Sequence, residues 1–277
     1  MKLIADSGST KTDWCVVEGN NVVSRITGHG INPFQQNTDD IEHLVIEDLV
    51  KHIDAPERIT EIEFYGAGCR DAMIPVLEHL FSKVFVNATK IDVCSDMLGA
   101  ARALFGASEG IACILGTGSN SCLYDGCRIV ANVPPLGYIL GDEGSGAVLG
   151  RLFINALFKG GLSENLRDAF SAETGYDVPF IINKVYREPL ANRFLASLSV
   201  FIHNHLDDRE LRMLVIDNFK AFFKRNVSLY GRRDIAIGAV GSIAYYYKAE
   251  LEEAALSEGY TLAAVLKSPM DGLLRNA

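Results

Sequence analysis

Short hydrophobic runs separated by glycine-rich or polar turns open the chain. Three of these runs come before residue 30, and they are Lys2–Ala5, Trp14–Glu18 and Val22–Thr27. Runs of this length that end in turn-forming residues predict β-strands, and the turn at Gly19–Asn21 is short enough to join two antiparallel strands. The pattern therefore predicts an antiparallel meander of three strands.

Hydrophobic residues then recur at helical spacing between further strands. The helical spacing begins after Thr38 and returns over Ile74–Phe81 and Met97–Phe105, whereas Ile62–Tyr65 and Lys90–Cys94 are typical strands. Strands that alternate with helices predict parallel pairing in an α/β fold. Together with the meander, this predicts a mixed sheet.

The strand-and-turn order of the first residues returns after residue 109. The repeated runs are Gly110–Leu115, Ser121–Tyr124 and Arg128–Asn132. Such a repeat indicates two related halves. We therefore predict a first domain over residues 1–106 and a second over 107–277, and the last helix, about 268–277, is expected to pack back on the first domain.

The second half continues with helices and one further strand. Residues 143–227 are mainly helical in pattern, and a strand over Ile235–Ile237 leads into the glycine turn Gly238–Ser242. Several phenylalanines share one helix face after residue 210, a spacing typical of core packing.

Composition and charge narrow the class of protein. The chain has 277 residues, 48% of them hydrophobic and 22% charged, with a net charge of −9. This acidity argues against nucleic acid and anionic membranes as partners. No hydrophobic run reaches the roughly 20 residues of a membrane span, and Asp6 comes too early for a signal peptide. The six cysteines form no C-x-x-C pair, so we expect reduced, buried thiols in a cytoplasmic protein.

The turn after the first strand is the first candidate site. Small residues between two strands expose backbone N–H groups and hydroxyls that suit a phosphate. Gly8 permits close approach, the hydroxyls of Ser9 and Thr10 can donate, Lys11 adds positive charge, and Asp6 could hold a hydrated Mg²⁺. The alternative is a polar hairpin turn.

A second turn, Gly116-Thr117-Gly118-Ser119, follows the matching strand of the second half. Two such turns, one in each half, could together contact a phosphate chain between two domains. The paired placement favours nucleotide binding more than either turn does alone.

Two carboxylates precede helices and have two interpretations each. Asp96 could be a general base for a sugar hydroxyl or an N-cap, and the position alone favours the cap. Asp142, between glycines, could bind sugar hydroxyls or cap the next helix. The turn Gly238–Ser242 could let an adenine lie against the backbone or permit close packing.

Taken in order, five segments resemble the BadF/BadG/BcrA/BcrD ATPase family and, within it, the N-acetylglucosamine kinases. They are DSGSTKTDW at 6–14, SDMLGAARAL at 95–104, LGTGSN at 115–120, LGYILGDEGSG at 136–146 and GAVGSIA at 238–244. The resemblance covers nearly the whole chain. It implies two ribonuclease H-like domains of the actin/hexokinase type, with mixed sheets and a cleft between them.

The resemblance also implies a role for individual residues. Asp96 would be the catalytic base, and Asp6 would hold Mg²⁺ through water. Nucleotide contacts would come from Asp6, Gly8, Ser9, Thr10, Lys11, Gly116, Thr117, Gly118, Ser119, Gly238, Gly241 and Ser242. Sugar contacts would come from Asn32, Asn120, Gly137 and Asp142.

The implied activity is ATP-dependent phosphorylation of a sugar, with N-acetylglucosamine and its 6-hydroxyl as the expected acceptor. Two alternatives stay open at this point. One is an ATPase activator of an acyl-CoA dehydratase or reductase with an iron–sulfur cluster between subunits, for which Cys122 and Cys127 are the available thiols. The other is a non-catalytic sugar or nucleotide sensor. Relatives often form dimers, so the resemblance also allows a homodimer, with the phenylalanine-rich helices of the second half as its contact.

Overall fold

The computed structural model describes residues 1–8, 11–19, 21–33, 36–70 and 72–276. The chain divides into two compact units. Unit 1 comprises Met1–Gly106 with the C-terminal segment Pro269–Ala277, and unit 2 comprises Ala107–Ser268. Each unit has its own sheet and its own hydrophobic core.

Ten strands form two sheets of five in the described chain. Unit 1 contains β1 Lys2–Ser7, β2 Lys11–Glu18, β3 Asn21–His29, β4 Glu61–Gly66 and β5 Lys90–Ser95. Unit 2 contains β6 Glu109–Leu115, β7 Ser119–Asp125, β8 Ile129–Val133, β9 Ile237–Val240 and β10 Leu262–Leu266.

The helices of unit 1 are α1 Thr38–Leu44, α2 Ile74–Val84, α3 Asp96–Phe105 and, from the C-terminus, α13 Met270–Arg275. Short π and 3₁₀ turns follow α1 at Val45–Leu49, Val50–His52 and Pro56–Arg58. The helices of unit 2 are α4 Gly137–Leu140, α5 Gly146–Phe158, α6 Glu164–Thr174, α7 Val178–Tyr186, α8 Ala191–Ser197, α9 Ser199–Asn204, α10 Arg209–Arg225, α11 Ser242–Tyr246 and α12 Lys248–Ser257, with a 3₁₀ turn at Val227–Tyr230.

The two sheets share one topology. The order is β3-β2-β1-β4-β5 in unit 1 and, read from its own meander, β8-β7-β6-β9-β10 in unit 2. In each sheet the first three strands are antiparallel and the last two run parallel to the first. The repeat predicted from the strand-and-turn pattern is thus present, and both sheets are mixed as expected.

The core of unit 1 forms where one face of the sheet meets α1 and α2. Trp14, Phe64 and Phe81 pack there with ring centroids 5.2 to 6.3 Å apart. Helix α2 buries Leu77, Leu80 and Phe81, which lie on one side of it. Burial of aromatic rings of this size is a large hydrophobic contribution to folding.

The core of unit 2 contains the phenylalanines of α10. Phe219, Phe222 and Phe223 are each at most 1% exposed and pack inside this unit. These phenylalanine side chains are therefore covered within unit 2, and a dimer contact through the helices that carry them stays a prediction. Core packing, the other interpretation, is what the structure shows.

Some element boundaries differ from the sequence-based prediction. Asp6 belongs to β1 rather than to a turn, since β1 extends to Ser7. The late strand lies at Ile237–Val240 rather than at 235–237, so Gly238 is inside it. The prediction failed there because a run of small residues can form a buried central strand as readily as a turn.

None of the helices in the described ranges combines the length and hydrophobicity that crossing a membrane requires. All six cysteines are free thiols, and five of them are buried.

Candidate functional site

Polar and small residues collect at one edge of the unit 1 sheet. Strands β1, β4 and β5 run parallel, and Ser7, Gly66 and Ser95 stand level with one another at their carboxyl ends. In open α/β sheets this edge is where ligands bind. Asp96 comes one residue beyond this level, and Asp6 one residue before it.

The N-cap of α3 is Ser95, not Asp96. The Ser95 hydroxyl accepts a hydrogen bond from the Leu98 N–H at 3.2 Å, while Asp96 occupies the first helical position. The carboxylate of Asp96 accepts the Met97 N–H at 2.9 Å. Burial nevertheless raises the pKa of Asp96 above its ordinary value. The N-cap interpretation of Asp96, which its position alone favoured, is therefore wrong, and its role as a catalytic base stays a prediction.

Helix α3 is fixed against the sheet by close contacts. A Cβ at Gly99 would lie 2.7 Å from the Cβ of Tyr65, so only glycine lets α3 lie this close to β4. One turn further on, Arg102 donates to the Tyr65 hydroxyl at 3.0 Å and to Asp92 at 2.9 Å. These contacts set the position of α3 and therefore of Asp96. Gly99 and Arg102 lie in the segment 95–104 that carries the family resemblance, but no role was predicted for either, although glycine in a helix is a signal of close packing.

Asp6 faces a second carboxylate across the meander. It pairs in register with Asp13 on β2, so the two side chains share one face of the sheet. Lys11 forms an ion pair with Asp13 at 2.8 Å. Lys11, predicted as a phosphate contact, therefore already has a carboxylate partner. Ser9 and Thr10 lie outside the described residues.

Ser7 ties the first turn to the segment that follows β3. Its hydroxyl lies 2.6 Å from that of Thr12 and accepts the Ile31 N–H at 2.9 Å. The next residue, Asn32, is 8% exposed, and its N–H donates to Gln36 at 2.7 Å. The predicted sugar contact at Asn32 is thus held near the same strand edge as Asp6.

In unit 2 the turn after β6 is held from behind by a helix. The carbonyl oxygens of Gly116 and Thr117 accept the N–H groups of Gly146 and Ala147 at 2.8 and 3.1 Å. These are the first two residues of α5, whose third N–H, from Val148, goes to Ser145. Two of these three N–H groups therefore hold the turn, and the third shows that Ser145, not Asp142, is the N-cap of α5.

Some hydrogen-bond donors of the turn at 116–119 bond within the protein, and others find no acceptor in the described part of the chain. The Ser119 hydroxyl donates to the Glu143 carbonyl at 2.8 Å, and its N–H favours the charged form of the Asp142 carboxylate, which lowers the pKa of that group. The N–H groups of Thr117 and Gly118 have no acceptor within the described residues. A Cβ at Gly116 would meet nothing within 4 Å. The turn thus offers open space and two backbone donors, which suits an oxyanion.

A third turn joins this cluster at the end of β9. A Cβ at Gly241 would overlap the carbonyl oxygen of Leu115, and the φ of Gly241 is 122°. Only glycine allows β9 and α11 to meet the end of β6 in this way. Ser242 is the first residue of α11. Gly238, by contrast, is paired inside the sheet with Ala112 and is not brought to the turn.

Asp142 has an unusual backbone and a shifted pKa. Its φ is 51°, in the left-handed region that is strained for a side chain other than glycine. The Gly137 N–H donates to its carboxylate at 3.1 Å. Burial raises the pKa of Asp142 to about 6, and the negative charge of Glu143 adds to this. Strain and a perturbed carboxyl together are typical of a functional site.

Asn120 lies next to this cluster on β7. Its side-chain oxygen accepts from Asn132 at 2.8 Å, which leaves its amide hydrogens for other partners. The structure thus brings Asn120, Gly137 and Asp142 together with the turn at 116–119. Sequence analysis missed Asn218, which accepts the Gly144 N–H at 3.0 Å from inside α10. Its only signal would have been an asparagine on an otherwise hydrophobic helix face.

The two cysteines named for a cluster between subunits differ in exposure. Cys122 is fully buried in β7, whereas Cys127 is exposed in the turn before β8. No group of three or more His, Cys, Asp or Glu residues in the described chain could hold a metal ion.

Comparison with known proteins places the chain in a family. A protein from Porphyromonas gingivalis, provisionally named an N-acetylglucosamine kinase, is 50% identical; the match covers 100% of this chain and 98% of that one, with a TM-score of 0.97. This identity shows that the chain belongs to the N-acetylglucosamine kinase-like family, which confirms the resemblance seen in the motifs. No family model and no curated protein matches the chain.

Two more distant structures show the shared fold. A provisionally named N-acetylglucosamine kinase from Chromobacterium violaceum is 18% identical, with 99% of this chain and 98% of that one covered and a TM-score of 0.75. A ROK family glucokinase from Streptomyces griseus, solved with glucose and AMPPNP, is 15% identical, with 99% and 98% covered and a TM-score of 0.54. They confirm the predicted α/β fold of the actin/hexokinase type.

Proposed function

We propose that this protein is an ATP-dependent sugar kinase that phosphorylates N-acetylglucosamine on its 6-hydroxyl. The family supports the reaction class, since the relative at 50% identity bears the name of such a kinase. One structural observation carries the mechanism. Asp96 stands at the carboxyl edge of parallel strands, is released from capping by Ser95, and has a pKa raised by burial.

Asp96 would act as the general base. Its carboxylate would accept the proton of the sugar 6-hydroxyl as that oxygen attacks the γ-phosphorus of ATP. The bond from the γ-phosphorus to the bridging oxygen would break, and ADP would leave with the electron pair. Phosphoryl transfer of this kind depends mainly on positioning and on charge neutralisation. A base with a raised pKa also accepts a proton more readily at neutral pH.

The turns of unit 2 would bind the nucleotide. The free N–H groups of Thr117 and Gly118 suit the phosphates, and the open space at Gly116 leaves room for them. The close approach of Gly241 to β6 forms a surface of backbone against which an adenine could lie. In unit 1, Gly8 and Lys11 would contact the same phosphates, an arrangement across the two units that stays a prediction of the sequence.

The sugar would contact Asp142, Asn120, Gly137 and Asn32. A carboxylate that already accepts backbone N–H groups can accept sugar hydroxyls with its remaining lone pairs. The amide hydrogens of Asn120 suit a hydroxyl or the acetamido carbonyl.

Asp6 would hold Mg²⁺ through water. The chemistry of the site fits, because Asp6 and Asp13 stand opposite each other in register on β1 and β2 and so bring two carboxylates to one face of the sheet. Mg²⁺ is usually held by one or two carboxylates together with water and substrate phosphates. When bound, it would supply neutralisation of phosphate charge.

The test is turnover with a panel of sugars. Purified protein with ATP and Mg²⁺ is assayed for ADP release with N-acetylglucosamine, glucose, glucosamine and N-acetylmannosamine. We expect N-acetylglucosamine to give the highest kcat/KM, and 6-deoxy-N-acetylglucosamine to bind as an inhibitor without turnover. ADP release that does not depend on any sugar would contradict the proposal and favour the ATPase activator.

A further inference from the structure

The carboxylate of Asp142 lies in a space that exists only because residue 118 has no side chain. A Cβ at Gly118 would lie 2.9 Å from Oδ2 of Asp142 and 3.7 Å from its Cγ. Contacts this short are not tolerated, so one of the two groups would have to move. A Cβ at residue 118 is attached directly to the main chain, whereas the carboxylate is the end of a rotatable side chain. The carboxylate is therefore the group that would move.

A hydrogen bond fixes the carboxylate in that space. The Gly137 N–H donates to Oδ1 at 3.1 Å. The main chain at residue 142 is fixed as well, because its N–H donates to Pro135 and its carbonyl accepts from Ser145, at 2.9 and 3.1 Å. A side chain displaced by residue 118 could thus move only by rotation about its own bonds, and it would lose the hydrogen bond from Gly137.

We propose that Gly118 is a positioning residue for the sugar rather than a nucleotide contact alone: its missing side chain keeps the Asp142 carboxylate where a sugar hydroxyl reaches it. This inference rests on the proposed function for the identity of the ligand. The resemblance of this turn to a phosphate loop implies a contact with the nucleotide, but it does not imply that Gly118 positions a sugar-binding carboxylate.

The neighbouring glycine provides a matched control. Gly116 is in the same turn, and a Cβ there would meet nothing within 4 Å. Neither Gly116 nor Gly118 has the positive φ that would make alanine strained. Alanine at 116 would enter the space proposed for phosphate, whereas alanine at 118 would push on Asp142. The two substitutions should therefore affect different ligands.

The experiment measures both ligands separately in the full-length protein. For Gly118→Ala we expect the KM for N-acetylglucosamine to rise about tenfold, the factor of one lost hydrogen bond. The Kd for ADP, measured without sugar, should stay within about twofold of wild type. For Gly116→Ala we expect the reverse, with a higher Kd for ADP. A loss of ADP affinity in Gly118→Ala equal to its loss for sugar would overturn the proposal.

A second readout needs no activity. Exchange of the Gly137 amide hydrogen, followed by NMR, should be faster in Gly118→Ala and in Asp142→Ala than in wild type, and unchanged in Gly116→Ala. An unchanged Gly137 amide in Gly118→Ala would also overturn the proposal. If the proposed function is wrong, the wild-type protein will turn over none of the sugars. The exchange rates of the Gly137 amide can still be compared among the variants, so the two failures are distinguishable.

The double variant Gly118→Ala/Asp142→Ala guards against a folding defect. Removing the carboxylate removes the clash, so this variant should fold as Asp142→Ala does. If Gly118 acts through Asp142, the sugar KM of the double variant should equal that of Asp142→Ala. Additive losses would show that Gly118 acts on the sugar by another route and would contradict the proposal.

Discussion

The two units share a strand order but present different chemistry at corresponding strand ends. In unit 1 the parallel strands end at carboxylates, Asp6 and Asp96. In unit 2 they end at glycine turns, with Gly116 after β6 and Gly241 after β9. The same strand order thus presents carboxylates at the strand ends of unit 1, which we call the acidic edge. In unit 2 it presents glycine turns, which we call the backbone edge.

The units also differ in what fixes these edges. The turn at 116–118 is held by backbone hydrogen bonds from α5, and Gly241 lies against the backbone of Leu115. In unit 1 the glycine at the end of β4, Gly66, is surrounded by the side chains of Phe64 and Cys69. Backbone contacts leave little room for adjustment, whereas side chains can rotate. We therefore expect unit 2 to tolerate changes at its strand ends less well than unit 1.

The largest expected effect comes from the acidic edge. Asp96→Asn keeps the size of the side chain and removes its basicity, so kcat with N-acetylglucosamine should fall by more than about 10²-fold. The Kd for ADP should change little, because the backbone edge of unit 2 is untouched. Steady-state assays and ADP titration measure both quantities. Turnover close to wild type would remove Asp96 from the mechanism.

Much of this fold could be predicted from the sequence, and the reasons are local. The strand-and-turn order repeats after residue 109, and hydrophobic periodicity marked most helices. The features that the sequence did not predict depend either on contacts between residues distant in sequence or on the conformation of a single residue. Whether Ser95 or Asp96 caps α3 is decided by which residue is extended, since both types cap helices well. The contact of Gly118 with Asp142 joins residues 24 positions apart, which no local pattern shows.

A second effect compares the glycines of the two units directly. Gly241→Ala would need a Cβ at a φ of 122° and against a carbonyl oxygen, so we expect a loss of about 2–3 kcal/mol in the free energy of unfolding. Gly66→Ala would press on the buried side chains of Phe64 and Cys69, but Gly66 has no positive φ and meets no backbone atom there, so the loss should be smaller. Urea unfolding of both variants measures the difference. Equal losses would contradict the idea that backbone contacts make unit 2 less tolerant.

The two helix caps should give a smaller effect. Ser95→Ala and Ser145→Ala should each lower the free energy of unfolding by about 1 kcal/mol. The loss should be larger for Ser145, which is fully buried, because the Val148 N–H would be left without an acceptor. Ser145→Ala should also weaken ADP binding, since α5 holds the turn at 116–118. ADP affinity unchanged in Ser145→Ala would argue against that support.

The smallest effect is a pH dependence of stability from Asp142. Burial raises the pKa of this carboxyl to about 6 in the folded protein, whereas an unfolded chain titrates near its ordinary value of about 4. Between these values the unfolded state loses its proton first, so this residue lowers stability as the pH rises through that window and adds nothing further above it.

Asp142→Asn removes this titration and leaves every other carboxylate in place. The stability of the variant relative to wild type should therefore increase between about pH 4 and pH 6 and then level off. The change in this stability difference with pH should be small, because solvent reaches the half-buried carboxylate and because the Gly137 N–H favours its charged form. Urea midpoints of both proteins across this range measure the difference. Parallel profiles would mean that Asp142 has the same pKa in the folded protein as in the unfolded chain. Burial beside the glycine turn of unit 2 would then not disfavour the charged form of this carboxylate.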